Sequence, residues 1–484
     1  MKSCIVLFSA LSILLAQSVK EDPLTSRLSS SHPYLTDPEI YNSLDLAHSP
    51  LGTFENDSNR LTLQSGYLHR SWNDISQTGY NGNYLTVPSI RIGQPKVAFF
   101  EIAYGPEFLS SNHSSHVFSL TQHRFAVIMA GQTPSSLFQA SLGCYGTMGK
   151  QTWGADGYNR IKLGLDKLRI DLGSQVHPLL RLGFHGGASA QIDTLTDPTG
   201  SHQDRFFQTD LPSYGGYADF GSDRIPVRSN LSLDFCSRRF VYVSKGIPPF
   251  MPNGNENAII YDSLNFLWQT MARLPAGEYQ IKPAFLFGWS KTAARMYTPH
   301  EENDPLKLGP EIDETSYSLS RLRFGLGINL ETKQYAAIFT EYHISSQSLE
   351  CGQAFTQPRP PQRTLHSLNI GVSSDLHKII SLPLQITPRI GYFLHGSNRL
   401  NGAARYASTP FSLWDGKSQE WRYHPENLLE AFERTSGFTL GAEGTLLNQI
   451  LSYDLHLAFL SRASNSDSGT EFGAEINFAL PDKK

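Results

Sequence analysis

Charge is scarce in this chain, and so are the long oily runs that would usually replace it. Charged residues make up 17% of the 484 positions, against roughly 25% in soluble domains. Yet the mean hydropathy is −0.30, which excludes a bundle of apolar spanning helices. Beyond the first twenty residues the apolar runs are short and broken, and Val97 to Tyr104 carries Glu101 in its middle. Such a chain crosses lipid only as a closed barrel, the one other structure that satisfies its backbone there. Few charges without apolar runs fits a sequence that alternates.

A basic excess is also missing. The 40 Lys and Arg are set against 44 Asp and Glu, a net charge of −4, so no basic stripe exists for nucleic acid. Of the 4 cysteines, Cys4 lies near the start, and Cys144, Cys236 and Cys351 are far apart and odd in number. That excludes a disulfide framework and a zinc spacing. The sequence contains no G-x-S-x-G, H-E-x-x-H, P-loop or G-x-G-x-x-G. Neither a cofactor, a metal centre nor covalent catalysis is therefore expected. His300, Glu301, Glu302 and Asp304 form the richest acidic cluster, and they read as a solvated external loop.

What is present begins at the first residues. Lys2 precedes the apolar stretch Ile5 to Ala16, and the small residues Ala16 and Ser18 suit cleavage before Val19. Residues 1–18 thus read as a signal peptide, and the rest as exported. Residues 19–58 are rich in Pro, Ser, Asn and Asp and show no period of two, which makes them an irregular segment and a possible plug. From residue 59 to 480 alternation takes over, with a tail at 481–484.

The clearest strands are RLRFGLGINL and LSYDLHLAFL. In the first, Leu322, Phe324, Leu326, Ile328 and Leu330 oppose Arg321, Arg323, Gly325, Gly327 and Asn329. In the second, Leu451, Tyr453, Leu455, Leu457 and Phe459 oppose Ser452, Asp454, His456 and Ala458. The closing EFGAEINFAL does the same, with Phe472, Ala474, Ile476 and Phe478 opposite Glu475 and Asn477. Each run is about 10 residues long, the length a tilted membrane strand needs.

Tight turns are expected at Glu331 to Gln334 and near Asn448, and long polar connections at about 190–225, 292–316, 349–363 and 396–434. HPENLLEAFER, His424 to Arg434, reads as a helix in the last of these. IKLGLDKLRIDL fits either helical spacing or two strands meeting near Asp166 and Lys167, and strict alternation in each half favours the strands. The spans sum to an all-β antiparallel barrel of about 14 strands, within a range of 12–18.

The alternation also sorts candidate functional residues. If the apolar face meets lipid, the polar faces line a lumen carrying Arg169, Arg181, Asp234, Arg321, Arg323, Glu341, Asp454, His456 and Glu475. Arg321 and Arg323 point the same way and form either a basic patch for anionic solutes or pairs with acids such as Glu341. Asp454, His456 and Glu475 share an inward face, where a hydrogen-bond network outweighs an acid–base site.

The leader, the irregular segment, the series of roughly 10-residue alternating strands and the alternating last strand together resemble bacterial outer-membrane β-barrels. Size and the possible plug make the chain most similar in pattern to the long-chain fatty-acid transporter barrels, the FadL type. That resemblance implies 14 strands, a plugging N-terminal segment, a location in the bacterial outer membrane and passage of hydrophobic substrates. No Asn-Pro-Ala plug motif occurs between Val19 and Ser58, and the chain closes on Pro481 to Lys484, not on an aromatic.

The function expected is passive diffusion of small or hydrophobic molecules. The expected partners are outer-membrane lipid, the solute and the barrel-assembly machinery, with no nucleic acid. Two alternatives are an adhesion or structural barrel acting through its long loops, and a secreted soluble β-protein that binds glycan.

Overall fold

The computed structural model describes the strands between Arg60 and Ala479 and several of the turns that join them. Residues 1–59 and 480–484 lie outside the described residues, as do most of the longer connections. The expected leader, irregular segment and tail therefore fall outside them, as does the expected helix His424–Arg434.

Alternation becomes one antiparallel sheet of 20 strands among the described residues. Two short ones, Leu274–Ala276 and Leu308–Glu311, pair with a single neighbour. The other eighteen form a ring, each hydrogen-bonded to the next. They are β1 (Arg60–Ser71), β2 (Tyr80–Gln94), β3 (Ala98–Ser111), β4 (Phe118–Gln132), β5 (Gln139–Trp153) and β6 (Tyr158–His177). Then come β7 (Leu180–Thr196), β8 (Gln203–Phe220), β9 (Val227–Lys245), β10 (Glu256–Ala272), β11 (Tyr279–Pro299) and β12 (Tyr317–Thr332). The last are β13 (Ala336–Cys351), β14 (Gln362–Ser374), β15 (Gln385–Ser397), β16 (Thr435–Leu446), β17 (Leu451–Arg462) and β18 (Ser468–Ala479). β18 closes on β1 with Arg60 opposite Ala479 and Ser71 opposite Ser468.

The ring exceeds the expected count of about 14 strands and reaches the upper end of the expected range of 12–18. The sequence divides on inspection into strands with long loops, but β11 alone runs for 21 residues. The expected loop at 190–225 is mostly strand, because QDRFFQTDLPSYGGYADF forms β8. Its alternation is hidden by a register shift between Leu211 and Tyr214, next to Pro212. The expected turns at Glu331 to Gln334 and Asn448 do separate strands.

β6 corrects a second expectation. Its 20 residues form one strand, not two meeting at Asp166 and Lys167. Opposite β5 the register passes from Leu168 and Lys167, which face Cys144 and Tyr145, directly to Leu165, which faces Gly146. Asp166 is thus the extra residue of a bulge. One extra residue reverses the alternation, since side chains repeat with a period of two. Ile161 and Leu163 before the bulge, and Leu168, Ile170 and Leu172 after it, are therefore all exposed. The bulge keeps an out-of-phase sequence oily on one face.

That exposure is general, and it inverts the usual order of burial. On β12, Phe324, Leu326, Ile328 and Leu330 are exposed, whereas Gly325 and Asn329 are buried. On β3, Phe100 and Ile102 are exposed around a fully buried Glu101. On β15, Ile390 is exposed beside a buried Arg389. On these strands the polar side faces into the ring and the apolar side faces out.

The two ends of the ring differ. At the end where β1 begins and β18 stops, the near end, two residues join β6 to β7 and three join β12 to β13. A short helix, Leu376–Ile380, lies between β14 and β15 at this end. At the far end, 17 residues separate β11 from β12 and 37 separate β15 from β16. The small hairpin Phe411–Asp415 with Glu420–Tyr423 belongs to the longest of these.

Candidate lumen site

The inward face carries charge, and the sheet register sets which charges meet. Arg91 on β2 stands opposite Glu101 on β3, and its Nε and Nη2 donate to Oε2 at 2.9 and 2.6 Å. Both side chains are almost wholly buried, and the Arg91 guanidinium lies 4.0 Å from the Phe99 ring centre. On β6, Arg169 folds along its own strand onto Asp171, donating from Nη2 at 2.8 Å and from Nε at 2.9 Å. Ser141 donates to the same carboxylate at 3.2 Å.

Nearer the turns, Arg181 stands opposite Asp219 and donates to it from Nε at 2.9 Å and Nη2 at 2.5 Å. Asn230 donates to the other oxygen of Asp219. His185 Nε2 meets Asp234 Oδ1 at 2.7 Å. Lys282 pairs with Glu331, which also accepts from Asn329 at 3.0 Å.

The third group spans β15 to β18. Glu443, Asp454 and Glu475 stand opposite one another on three successive strands. Arg389 reaches over Gly441 to pair with Glu443 at 2.5 Å and with Asp454. Its side chain is 3% exposed, whereas those of Glu443 and Asp454 are 42% and 29% exposed. The cation is set into the wall and the carboxylates meet the lumen. Pairing matters because an isolated charge in a water-poor wall is costly.

Several expected residues are thus brought to partners: Arg169, Arg181 and Asp454 form ion pairs, and Asp234 meets the His185 imidazole. Glu475 accepts from Asn477 at 2.8 Å, and His456 lies on the same face, opposite Gly473. Arg321 stands opposite Gln347 and Arg323 opposite Ser345, while Glu341 stands opposite Gly327. Glu341 thus stands six positions along β13 from the residue opposite Arg321 and four from the residue opposite Arg323. Glu341 itself is buried.

Arg91, Glu101, His185, Asp219, Lys282, Glu331, Arg389 and Glu443 were missed by reading the sequence. A signal for three of them is present in it. Arg91 sits between Ile90 and Ile92, Glu101 between Phe100 and Ile102, and Arg389 between Pro388 and Ile390. A lone charge between two apolar neighbours on a strand must point to the opposite face.

Apolar patches interrupt the inward charges. Met271, Ala284 and Leu286 pack with Leu267 on β10 and β11. Ala103, Ala126, Ile128 and Tyr145 pack with Phe99 on β3 to β5. Phe393 packs with Ala458 and Leu460 on β15 and β17.

No family model matches the chain, and no curated protein matches its sequence. Among solved structures it is similar to the alcaligin outer-membrane receptor FauA of Bordetella pertussis, at 9% identity and a TM-score of 0.44, over 86% of this chain and 75% of that one. It is also similar to the copper transporter OprC, at 6% identity and a TM-score of 0.43, over 88% and 81% of the two chains. OccK5 of Pseudomonas aeruginosa gives 11% identity and a TM-score of 0.39, over 88% and 99%. Likeness this slight transfers neither a family nor an activity.

Proposed function

We propose that this protein is a bacterial outer-membrane β-barrel through which small or hydrophobic molecules diffuse passively. The observation that carries the reading is a closed ring whose burial is inverted. A soluble protein seldom exposes a contiguous apolar band on this scale. In lipid the band is the favourable face, and closure pairs both edges of each of the eighteen ring strands. Tyr104 and Tyr342, outward and exposed, each share a hydrogen bond with a histidine of the next strand, His123 at 2.6 Å and His366 at 2.5 Å. Such amphipathic groups suit a membrane interface.

A ring of eighteen strands matches the width at which barrels leave an aqueous channel. It departs from the 14 that the fatty-acid transporter resemblance implies, so passage of fatty acids in particular does not belong to the proposal. We retain the possible plug, residues 19–58, the leader 1–18 and the barrel 59–480 as parts of this reading. Outer-membrane lipid and the barrel-assembly machinery are its partners, and the inward charges are its lumen residues.

The test is fractionation followed by reconstitution. The protein is expected in the detergent-extracted outer-membrane fraction, with gel migration that changes on heating, and to conduct ions in a planar bilayer. Recovery as a soluble monomer without detergent would reject the barrel. A membrane-inserted protein that carries no current and passes no solute would favour an adhesion or structural role.

A further inference from the structure

One stretch of the inward wall sets five polar side chains in a single row. Asp234, Asn265, Ser290, Arg321 and Gln347 stand opposite one another on five successive strands, β9 to β13. Neighbouring strands are about 4.8 Å apart, so Asp234 and Arg321 are roughly 14 Å apart along this row. Gln347 is buried, whereas the four before it are half-buried. Asp234 gives one oxygen to His185 and stays 37% exposed. Among the described residues, neither Asn265 nor Ser290 has a side-chain hydrogen-bond partner, although each can both donate and accept.

Beside this row lies an apolar shelf. One step toward the near end, Leu267, Gly288 and Arg323 form the next row. A Cβ on Gly288 would stand 3.4 Å from both Leu267 Cδ1 and Arg323 Cβ. The missing side chain therefore leaves Leu267 and Arg323 leaning over the same bare stretch of backbone. Arg323 is exposed, and Leu267 is held from below by Met271, Ala284 and Leu286.

We propose that this stretch binds a hydroxylated organic anion, an acidic sugar being the simplest case. Its carboxylate or phosphate would take the guanidinium groups of Arg321 and Arg323, which have donors to share among several acceptors. Its hydroxyls run along Ser290 and Asn265 and donate to the Asp234 carboxylate. The apolar face of its ring rests on Leu267. A wholly hydrophobic solute would desolvate Asn265 and Ser290 without pairing them, which costs free energy. An inorganic anion would use the arginines and leave the rest of the row idle. This inference deepens the diffusion reading by naming a substrate class, and it depends on that reading for its role.

Two separate measurements test it on the full-length protein. Calorimetric titration in detergent, which needs no conduction, compares glucuronate, glucose 6-phosphate, glucose and acetate. Glucuronate or glucose 6-phosphate should bind at least about tenfold more tightly than glucose or acetate, the gain expected from one charge-assisted hydrogen bond. The stronger of the two acids then identifies carboxylate or phosphate as the preferred group. Equal binding of all four, or none, overturns the proposal. Arg323→Gln should erase the preference for acids, and Asn265→Leu should weaken acid and neutral sugar alike by about tenfold. Should either variant fail to fold, the comparison among solutes on the unaltered protein still decides. Planar-bilayer current is the second measurement, and its absence would reject the diffusion reading while leaving the titration result standing.

Discussion

His456 on β17 lies across the bare backbone of Gly473, the residue directly opposite it on β18. A Cβ at Gly473 would overlap the imidazole ring. The glycine thus makes room for an inward ring beside the seam where β18 meets β1. Gly473→Val should cost about 1–3 kcal/mol by overpacking, read as a lower urea midpoint of the folded form on heat-modifiable gels. His456→Ala in the same chain should restore much of it. Failure of the second change to rescue would mean the collision is not the cause.

Outward positions offer a sharper test of what surrounds the ring. Leu326 is 62% exposed. On a soluble protein, Leu326→Arg would change stability by no more than about 0.5 kcal/mol. Facing the middle of a bilayer it should cost about 2–4 kcal/mol. Reversible urea unfolding in lipid vesicles distinguishes the two.

Glu101 is fully buried and tied to Arg91. Arg91→Ala should destabilise the barrel by about 3–5 kcal/mol, because it strands a carboxylate in the wall. Adding Glu101→Leu to Arg91→Met should recover most of the loss. If the double variant is no better than Arg91→Ala, the pair is not acting as a unit.

Arg389 is the cation set behind Glu443 and Asp454. With Arg389→Gln, the row of three carboxylates loses its counter-charge, and potassium should be favoured over chloride more than before. In a salt gradient the zero-current voltage should move toward the potassium limit. No movement, or movement toward the chloride limit, would remove this row from the conduction path.

Deleting residues 19–58 tests the plug. Single-channel conductance should rise if that segment fills the lumen, and an unchanged value would reject it.

The class of fold was legible because it depends on a period of two, which a sequence displays directly. RLRFGLGINL and LSYDLHLAFL read as strands, and both are strands with the expected apolar side outward. Closure near Arg60 was legible too, since a ring needs its last strand to meet its first. The strand count was not legible, for two reasons of local geometry. Register shifts break the period in the middle of β6 and β8, and polar extensions such as the far end of β11 look like loop. The lumen residues were half legible. Alternation says which face a charge is on, and Arg169, Arg181, Asp234 and Asp454 lie on the face opposite the exposed apolar side chains of their strands. Partnership depends on how far one strand is slid along the next, and no single strand encodes that. This is why the sequence did not show that Gln347 and Ser345 stand opposite Arg321 and Arg323.

The seam between β1 and β18 runs for 12 paired positions, as long as that between β16 and β17. β1 and β18 lie about 400 residues apart in the chain, so their pairing is the most non-local in the ring. A chain with every other pair formed and this one open would carry two unpaired strand edges, each able to accept the other from a second copy. Successful maturation is then a race between self-capture and capture by a neighbour. That race should tilt toward tangled multimers as the protein is made faster, whatever the finished ring's stability.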